Sequence, residues 1–365
     1  MDFSHLLFRG DVRQSNSGSF LSPCPDNSRF RNLRIPFSAF FTQTEFNKGR
    51  IRLFSPIDKC IPIRYNSIAV QHTLIFRPHN NSSGGLPMND KKILTVQDIS
   101  CVGQCSLTVA LPIISACGIE TCVLPSAVLS THTGGFTGYT FRDLTGDIPA
   151  IVNHWKKEGI VFDAVYSGYL GSKEQIALVK EIMQTMGTPD SISIADPAMA
   201  DNGKLYPGFD DDFVEAMKEL CSSADIILPN ITEACLLTGT EYRTEYDEAY
   251  IRTLLSALSD SGAKTVVLTG VGYTADTTGV VTKEPGKEPV YYVHKRFPTG
   301  CHGTGDVFAS AFAGALMRDR AVCDAARIAA DFTLSCIENT LPDEKHRYGV
   351  KFEQMLPKLI RALNE

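Results

Sequence analysis

The sequence predicts a three-layer α/β/α fold, in which helices cover both faces of a mostly parallel central sheet. From Lys92 to Asn339, short apolar segments alternate with longer segments that read as helices. This alternation is typical of parallel βαβ units. Hydrophobic residues make up 43% and charged residues 21% of the 365 residues, which is the balance of a globular protein and excludes chain-wide disorder.

The first half of the alternation, from Lys92 to Met186, contains three predicted strands and three predicted helices. Gly118 is a helix stop signal, and Ser172 is a candidate N-cap. Residues 127–146 are rich in Thr and Gly and predict a long loop. The strands are Lys92–Gln97, Thr121–Pro125 and Phe162–Tyr166, and the helices are Ser106–Cys117, Ile148–Glu158 and Lys173–Met186.

The second half adds three further strands of the same kind and then an antiparallel pair, whose strands are separated by Pro and Gly. Ligands bind at the carboxyl ends of strands in such sheets, so we expect functional residues on the loops between strands and helices. The strands are Ser191–Ala195, Asp225–Leu228 and Thr265–Thr269, with Thr278–Thr282 and Val290–His294 as the antiparallel pair; the helices are Asp211–Cys221, Thr232–Leu237, Glu245–Ser261, Asp306–Met317 and Ala321–Asn339.

The chain divides into two parts of different character. Residues 1–87 contain 11 Lys and Arg against 5 Asp and Glu, whereas residues 88–365 contain 24 against 36. The first part lacks a sustained hydrophobic period. We interpret it as leader sequence translated from a misassigned start codon, because residues 84–85 are Gly-Gly, whose codons can contain a purine-rich ribosome-binding sequence just upstream of Met88. A disordered extension is the alternative.

Composition also narrows the partners and the compartment. The net charge of −6 gives no reason to expect a nucleic-acid partner. No segment approaches the roughly 20 apolar residues of a membrane-spanning helix. Eleven cysteines, an odd number, make a disulfide framework a poor interpretation and favour a reducing cytoplasm.

Gly303, Thr304, Gly305 and Asp306 open one of the predicted helices. Glycines let the backbone turn sharply, and a helix start offers unpaired N–H groups to an anion. A carboxylate at such a site can act as a general base toward a hydroxyl that attacks phosphorus, while the N–H groups hold the developing charge. The alternative is an Asp that only complements the helix dipole.

Two further acidic loops follow predicted strands. Asp196, Asp201 and Gly203 lie after one strand, where carboxylates suit a Mg²⁺ ion held partly by water and nucleotide phosphates; a turn with Asx caps is the alternative. Glu233 follows Asn230 by three residues and suits either the second shell of Mg²⁺ or a capping box. Together with the glycine-rich helix start, these loops indicate phosphoryl transfer from a nucleotide, although the P-loop and protein-kinase motifs are absent from the sequence.

Five stretches resemble the ribokinase-like superfamily and, within it, the pyridoxal/pyridoxamine kinases. They occur in the expected order over residues 92–340, and the order is more specific than any single motif. The stretches are LSTHTGG (129–135), VYSGYLGS (165–172), IADPAMADNG (194–203), LPNITEACLLTG (228–239) and FPTGCHGTGD (297–306).

The resemblance implies ATP-dependent phosphorylation of the 5′-hydroxymethyl group of a vitamin B6 vitamer by a cytoplasmic homodimer. It implies that Asp306 is the base and that the backbone of residues 303–306 is the anion hole. It also implies a role for a set of binding residues: Asp196, Asp201 and Glu233 for Mg-ATP, Asn230, Thr269 and Gly270 near the nucleotide, and Thr133 and Tyr169 against the vitamer ring.

The sequence departs from the family pattern at three positions. Asp98 stands where relatives often have Ser, and its carboxylate could accept a hydrogen bond from the pyridine nitrogen or pair with the ammonium group of pyridoxamine. We therefore predict a bias toward pyridoxamine or a changed pH optimum. Leu228 stands where relatives often have Thr near a monovalent cation, which leaves a K⁺ requirement open. Thr131 replaces an Asn.

Cys301 precedes the anion-hole glycines. In some relatives a nearby cysteine reacts with the aldehyde of pyridoxal, but only a thiolate would do so, and a small residue in a tight loop is an equal interpretation. Two other functions compete with the B6 kinase. One is a hydroxymethylpyrimidine kinase of the same fold, and the other is a catalytically idle vitamer-binding protein.

Overall fold

The structure is a computed structural model that describes three short strands within residues 44–63, together with residues 91–297, 301–343, 346 and 348–365. Chain contacts divide it into two units, Met1–Gly85 and Leu86–Glu365. In the first unit, strands β1 (Thr44–Asn47), β2 (Arg50–Leu53) and β3 (Ile61–Ile63) form an antiparallel sheet. The predicted leader or extension, residues 1–87, otherwise lies outside the described residues and stays a prediction.

The second unit is built on one large sheet. Its described residues contribute nine strands in the order β14-β13-β12-β11-β8-β7-β4-β5-β6. The six strands from β12 to β5 are parallel, and β6, β13 and β14 add antiparallel edges. The strands are β4 (Lys92–Ser100), β5 (Glu120–Leu129), β6 (Phe141–Asp143), β7 (Phe162–Ser167), β8 (Gly187–Ala195), β11 (Ile226–Ile227), β12 (Thr265–Thr269), β13 (Thr277–Lys283) and β14 (Val290–Lys295), and a small hairpin, β9 (Ala200–Asp201) and β10 (Lys204–Leu205), follows β8.

Helices cover both faces of this sheet, which confirms the predicted fold class. One buried cluster joins α2 to α6 with one face, and a second joins α1, α7, α8 and α9 with the other. Among the described residues, no helix is both long and apolar enough to cross a membrane. The helices are α1 (Leu107–Ala116), α2 (Ile148–Lys157), α3 (Lys173–Thr185), α4 (Asp211–Ser223), α5 (Ile231–Thr238), α6 (Glu248–Asp260), α7 (Thr304–Met317), α8 (Val322–Thr340) and α9 (Leu356–Asn364).

Several boundaries were predicted well. The strand Thr265–Thr269 and the antiparallel pair β13 and β14 were predicted correctly. Ser172 caps α3, since its side-chain oxygen accepts a hydrogen bond from the backbone N–H of Gln175.

Two expectations were wrong. The predicted loop 127–146 begins with the end of β5, and Phe141–Asp143 pairs with Ala127–Leu129 as an edge strand. The helix α9 was missed because it is short and buries only Leu359 and Leu363.

Small residues let α7 approach α1 closely. Gly314 of α7 lies against the buried Cys117 that ends α1, and a Cβ atom at Gly314 would lie 2.4 Å from the Cys117 sulfur. The packing therefore depends on the missing side chain.

We predict that Gly314→Ala destabilises the protein, although Gly→Ala inside a helix ordinarily stabilises it by about 1 kcal/mol. Overpacking costs about 1–3 kcal/mol in a close-packed core, and thermal unfolding measures the change. The double variant Gly314→Ala/Cys117→Ala removes the clashing sulfur and should recover part of the loss. A stabilised Gly314→Ala protein would contradict the contact.

Candidate active site

The predicted site residues meet at the carboxyl ends of the parallel strands. Because these ends lie at one edge of the sheet, β4, β8, β11 and β12 deliver their following residues to the same region. Helix α7 begins at this edge, so its N-terminal turn faces the same region. Asp98 lies near the end of β4, and Asp196, Asn230 and Thr269 mark the ends of the other three strands.

The start of α7 has the backbone that the two glycines predicted. Gly303 is the N-cap and has φ +78°. A Cβ atom at Gly303 would lie 1.8 Å from the carbonyl oxygen of Gln104, so a larger residue cannot occupy this position. Thr304 is the first helical residue, and a Cβ atom at Gly305 would meet open space. The helix start is therefore open to an anion.

Asp306 lies in the first turn of α7, directly below this opening. Its carboxylate accepts hydrogen bonds from the backbone N–H of Ser106 and from the thiol of Cys105. Burial raises the pKa of Asp306 to about 7, and the charge of Asp98 raises it further, while the two hydrogen bonds oppose the increase. A carboxyl group with this proton affinity suits a general base near neutral pH.

Asp98 is the second carboxyl group on this side of the site. It is 3% exposed, and it accepts hydrogen bonds from the hydroxyl groups of Ser100, at 3.0 Å, and Ser106. Burial raises the pKa of Asp98 above its ordinary value. Burial also raises the pKa of Tyr169 to about 12, and the charge of Asp98 acts in the same direction. The structure thus brings Asp98, Tyr169 and Asp306 together.

Asp196 and Glu233 form a second acidic group nearby. The pKa of Asp196 is raised well above its ordinary value, first by burial and then by the charges of Glu233 and Asp306. Burial raises the pKa of Glu233 to about 7. Asp196 is therefore close enough to feel both Glu233 and the predicted base.

Glu233 is held by backbone N–H groups. Its Oε2 accepts from Asn230 at 2.9 Å, and its Oε1 accepts from Met199 at 3.1 Å and from Ala200 at 3.4 Å. Asn230 and Glu233 form the predicted capping box of α5. The side-chain amide of Asn230 also donates to the carbonyl of Ala200 at 2.8 Å. Glu233 and Asn230 thus tie the loop after β8 to the start of α5.

Asp201 differs from the other acidic residues because it lies exposed on the β9–β10 hairpin, with its carboxylate bonded to Asn202. In the described part of the chain, no three His, Cys, Asp or Glu side chains are arranged to hold a metal ion. Asp196, Asp201 and Glu233 therefore form no such group by themselves. The part of the Mg²⁺ prediction that relied on water and nucleotide phosphates is the part that these positions leave open.

The predicted nucleotide residues lie side by side. Asn230 and Thr269 form a parallel bridge between the ends of β11 and β12. Gly270 follows with φ +77°, is exposed, and has open space where a Cβ atom would lie. These residues form a second open stretch of backbone at the same edge of the sheet.

The remaining predicted residues lie on the loops around the opening. Thr133 is exposed, next to the buried His132, whose ring lies 5.4 Å from that of His302. Cys301 is half-buried, and burial raises the pKa of its thiol. This direction favours the thiol over the reactive thiolate.

Sequence reasoning missed four residues near these carboxyl groups. Cys105 and Ser106 contact Asp306, while the charges of Asp196 and Asp306 raise the pKa values of Tyr166 and Tyr206, in both cases after the larger effect of burial. The one available signal was the position of Cys105 and Ser106, directly after the loop that follows β4.

Comparisons with known proteins agree with this arrangement. The phosphomethylpyrimidine kinase family model matches residues 143–351. A Bacteroides thetaiotaomicron protein, provisionally described as a phosphomethylpyrimidine kinase, has a crystal form with pyridoxal; it is 38% identical, with a TM-score of 0.71 over 74% of this chain and 96% of its own. Pyridoxal kinase from Lactobacillus plantarum is 33% identical, with a TM-score of 0.70 over 76% of this chain and 99% of its own. Pyridoxal kinase from Arabidopsis thaliana is 26% identical over 71% of this chain and 85% of its own.

We predict that Asp306→Asn stabilises the ligand-free protein above pH 7. Asp306 has a pKa of about 7 in the folded chain and about 4 in an unfolded chain. Its ionised form therefore destabilises the fold, with no cost below the unfolded value and a cost that grows as the pH rises through about 7. Asn removes this cost, so thermal unfolding at pH 8 should occur about 2–5 °C higher than in the unsubstituted protein.

Glu233→Gln is the matched control. Glu233 has a similar raised pKa, but it accepts three backbone hydrogen bonds. Gln offers one acceptor oxygen in place of two, and we expect it to lower the melting temperature. A lower melting temperature for Asp306→Asn at pH 8 would contradict the assigned pKa.

Proposed function

Since the chain belongs to the phosphomethylpyrimidine kinase family of the ribokinase-like superfamily and is a kinase that phosphorylates an alcohol group, we propose that its acceptor is the 5′-hydroxymethyl group of a vitamin B6 vitamer, with ATP as the donor. One observation carries this proposal. A carboxyl group with a pKa of about 7, that of Asp306, lies in the first turn of a helix whose start is open.

The reaction follows from this geometry. Asp306 takes the proton of the alcohol while the alcohol oxygen attacks the γ-phosphorus of ATP. A new oxygen–phosphorus bond forms as the bond to the β-phosphate oxygen breaks, which releases ADP. The backbone N–H groups of residues 303–306 face the transferred group and stabilise its negative charge, because a helix start directs unpaired donors outward.

The second acidic group suits the nucleotide side of the reaction. Asp196 and Glu233 are carboxyl groups whose pKa values are raised, so a nearby cation would favour their ionised forms. We assign Asp196 to a Mg²⁺ ion that also binds phosphate oxygens and waters, with Glu233 supporting its loop and Asp201 at the rim. When bound, Mg²⁺ neutralises phosphate charge. Asn230, Thr269 and Gly270 would line the nucleotide.

The other predicted residues suit a flat ring with a polar edge. The half-buried ring of Tyr169 lies close to Asp98 and 5.7 Å from the ring of Phe209. Aromatic side chains pack against heteroaromatic ligands, and a carboxylate pairs with a protonated nitrogen. Thr133 and Cys301 belong to the loops at the rim. A homodimer in the cytoplasm and K⁺ dependence stay predictions.

A hydroxymethylpyrimidine is the second candidate acceptor, because the matching family model carries that activity in its description. Both acceptors are flat rings with a primary alcohol. The pyridoxal in the crystal of the 38% identical protein favours the B6 vitamer.

We predict that the full chain with Mg-ATP releases ADP in the presence of pyridoxal, pyridoxamine or pyridoxine, and faster than with hydroxymethylpyrimidine. Asp306→Asn should lower the rate by about 10²–10⁴-fold, as expected for loss of a general base. Coupled ADP detection measures both. Near-normal turnover of Asp306→Asn would refute the base, and vitamers that raise the melting temperature without turnover would indicate a binding protein.

We predict that Asp98 favours pyridoxamine over pyridoxine. Pairing of its carboxylate with the ammonium group of pyridoxamine strengthens binding of that vitamer. Asp98→Ser should therefore lower the ratio of kcat/KM for pyridoxamine to that for pyridoxine by about 10-fold. An unchanged ratio would show that Asp98 does not contact the variable ring substituent.

A further inference from the structure

The residue between the two carboxyl groups on the acceptor side is Ser106, which is 4% exposed. Its backbone N–H donates to Asp306, and its hydroxyl group donates to Asp98. Asp306 lies 200 residues further along the chain, and Asp98 lies on the neighbouring strand β4. One residue therefore holds two carboxyl groups that the rest of the fold brings together.

The backbone of Ser106 is in an unfavourable conformation. Its φ is +54° with ψ −132°, a region that glycine adopts freely and other residues avoid. In the described residues, only Asn202 and Asp319 also combine a side chain with positive φ. Strained backbone that persists in a packed structure is concentrated at functional positions.

Ser106 also forgoes the usual function of a serine at this position. It is the N-cap of α1, where a serine oxygen normally accepts a hydrogen bond from the helix start. Its side chain makes no such bond, although its carbonyl accepts from the N–H groups of Val109 and Ala110 at 3.0 and 2.9 Å. The hydroxyl group is directed to Asp98 instead, so local stability does not explain the arrangement.

We propose that Ser106 is a positioning residue for phosphoryl transfer: its strained backbone aims the N–H at the base Asp306, and its hydroxyl group fixes Asp98 beside the acceptor ring. The proposal rests on the kinase function proposed above. It divides the two tasks between two parts of one residue. The backbone acts on the base and therefore on kcat, whereas the hydroxyl acts on Asp98 and therefore on acceptor binding.

Other groups face these two carboxyl groups and are unchanged by substitutions at Ser106. The thiol of Cys105 donates to Asp306, and the hydroxyl group of Ser100 donates to Asp98. The charge of Asp306 also reaches Asp196, Tyr166 and Tyr206. A test must therefore separate the backbone of Ser106 from its hydroxyl group.

Two substitutions make this separation. Ser106→Gly removes the hydroxyl group and adopts φ +54° without strain, so the N–H stays aimed at Asp306. Ser106→Thr keeps a hydroxyl group, but a branched side chain resists this φ and shifts the N–H. Steady-state kinetics of the full chain with pyridoxamine and Mg-ATP compare both with the unsubstituted protein.

For Ser106→Gly we expect KM for pyridoxamine to rise about 5–10-fold, the effect of one charge-assisted hydrogen bond, with kcat within about 3-fold. For Ser106→Thr we expect kcat to fall at least about 10-fold, the effect of a misplaced base, with KM within about 3-fold. Ser100→Ala is the matched control, because it removes a hydroxyl donor from the same Asp98 without touching the backbone of Ser106. It should behave like Ser106→Gly.

Equal effects of Gly and Thr on both constants would show a merely structural role and overturn the proposal, as would a normal kcat for Ser106→Thr. If the unsubstituted chain turns over no acceptor, the proposed function fails, and the melting temperatures still decide the strain on which this inference depends. Ser106→Gly should then melt above Ser106→Ala, and Ser106→Thr should melt below it. The reverse order would overturn the proposal.

Discussion

The site depends on one constraint: a parallel sheet collects the carboxyl ends of its strands at one edge, and this chain places acidic residues there. Asp98, Asp196, Glu233 and Asp306 all have pKa values that burial raises. Ionisation of such groups opposes folding above neutral pH. The sheet and two helical layers compensate for this cost, so the acidic edge is retained for chemistry and not for stability.

Much of the fold could be predicted from the sequence because the buried strands are short, apolar and bounded by helices. Thr265–Thr269 is an example, since its β-branched residues mark a strand without reference to any neighbour. The edge strand Phe141–Asp143 is fully exposed and gains its structure only by pairing with Ala127–Leu129. Pairing of this kind has no local signal, and the Thr- and Gly-rich composition of 127–146 predicted a loop instead.

The site could be predicted as far as strand ends and helix starts identify it. Asp196, Glu233 and Asp306 each follow a recognisable local signal, and the capping box of Glu233 was visible in the spacing to Asn230. Cys105 and Ser106 were not visible, because their contact with Asp306 requires the loop after β4 to approach the start of α7. The 1.8 Å between a Cβ atom at Gly303 and the carbonyl of Gln104 shows how close that approach is.

The two acidic groups of the site are electrically linked through Asp306 and Asp196. The charge of Asp306 raises the pKa of Asp196, and by reciprocity an ionised Asp196 makes Asp306 harder to ionise. Whatever neutralises Asp196 on the nucleotide side therefore lowers the proton affinity of the base on the acceptor side. Ionisation of Asp306 is thus favoured when the donor side is occupied, which couples readiness of the base to the presence of the phosphoryl donor.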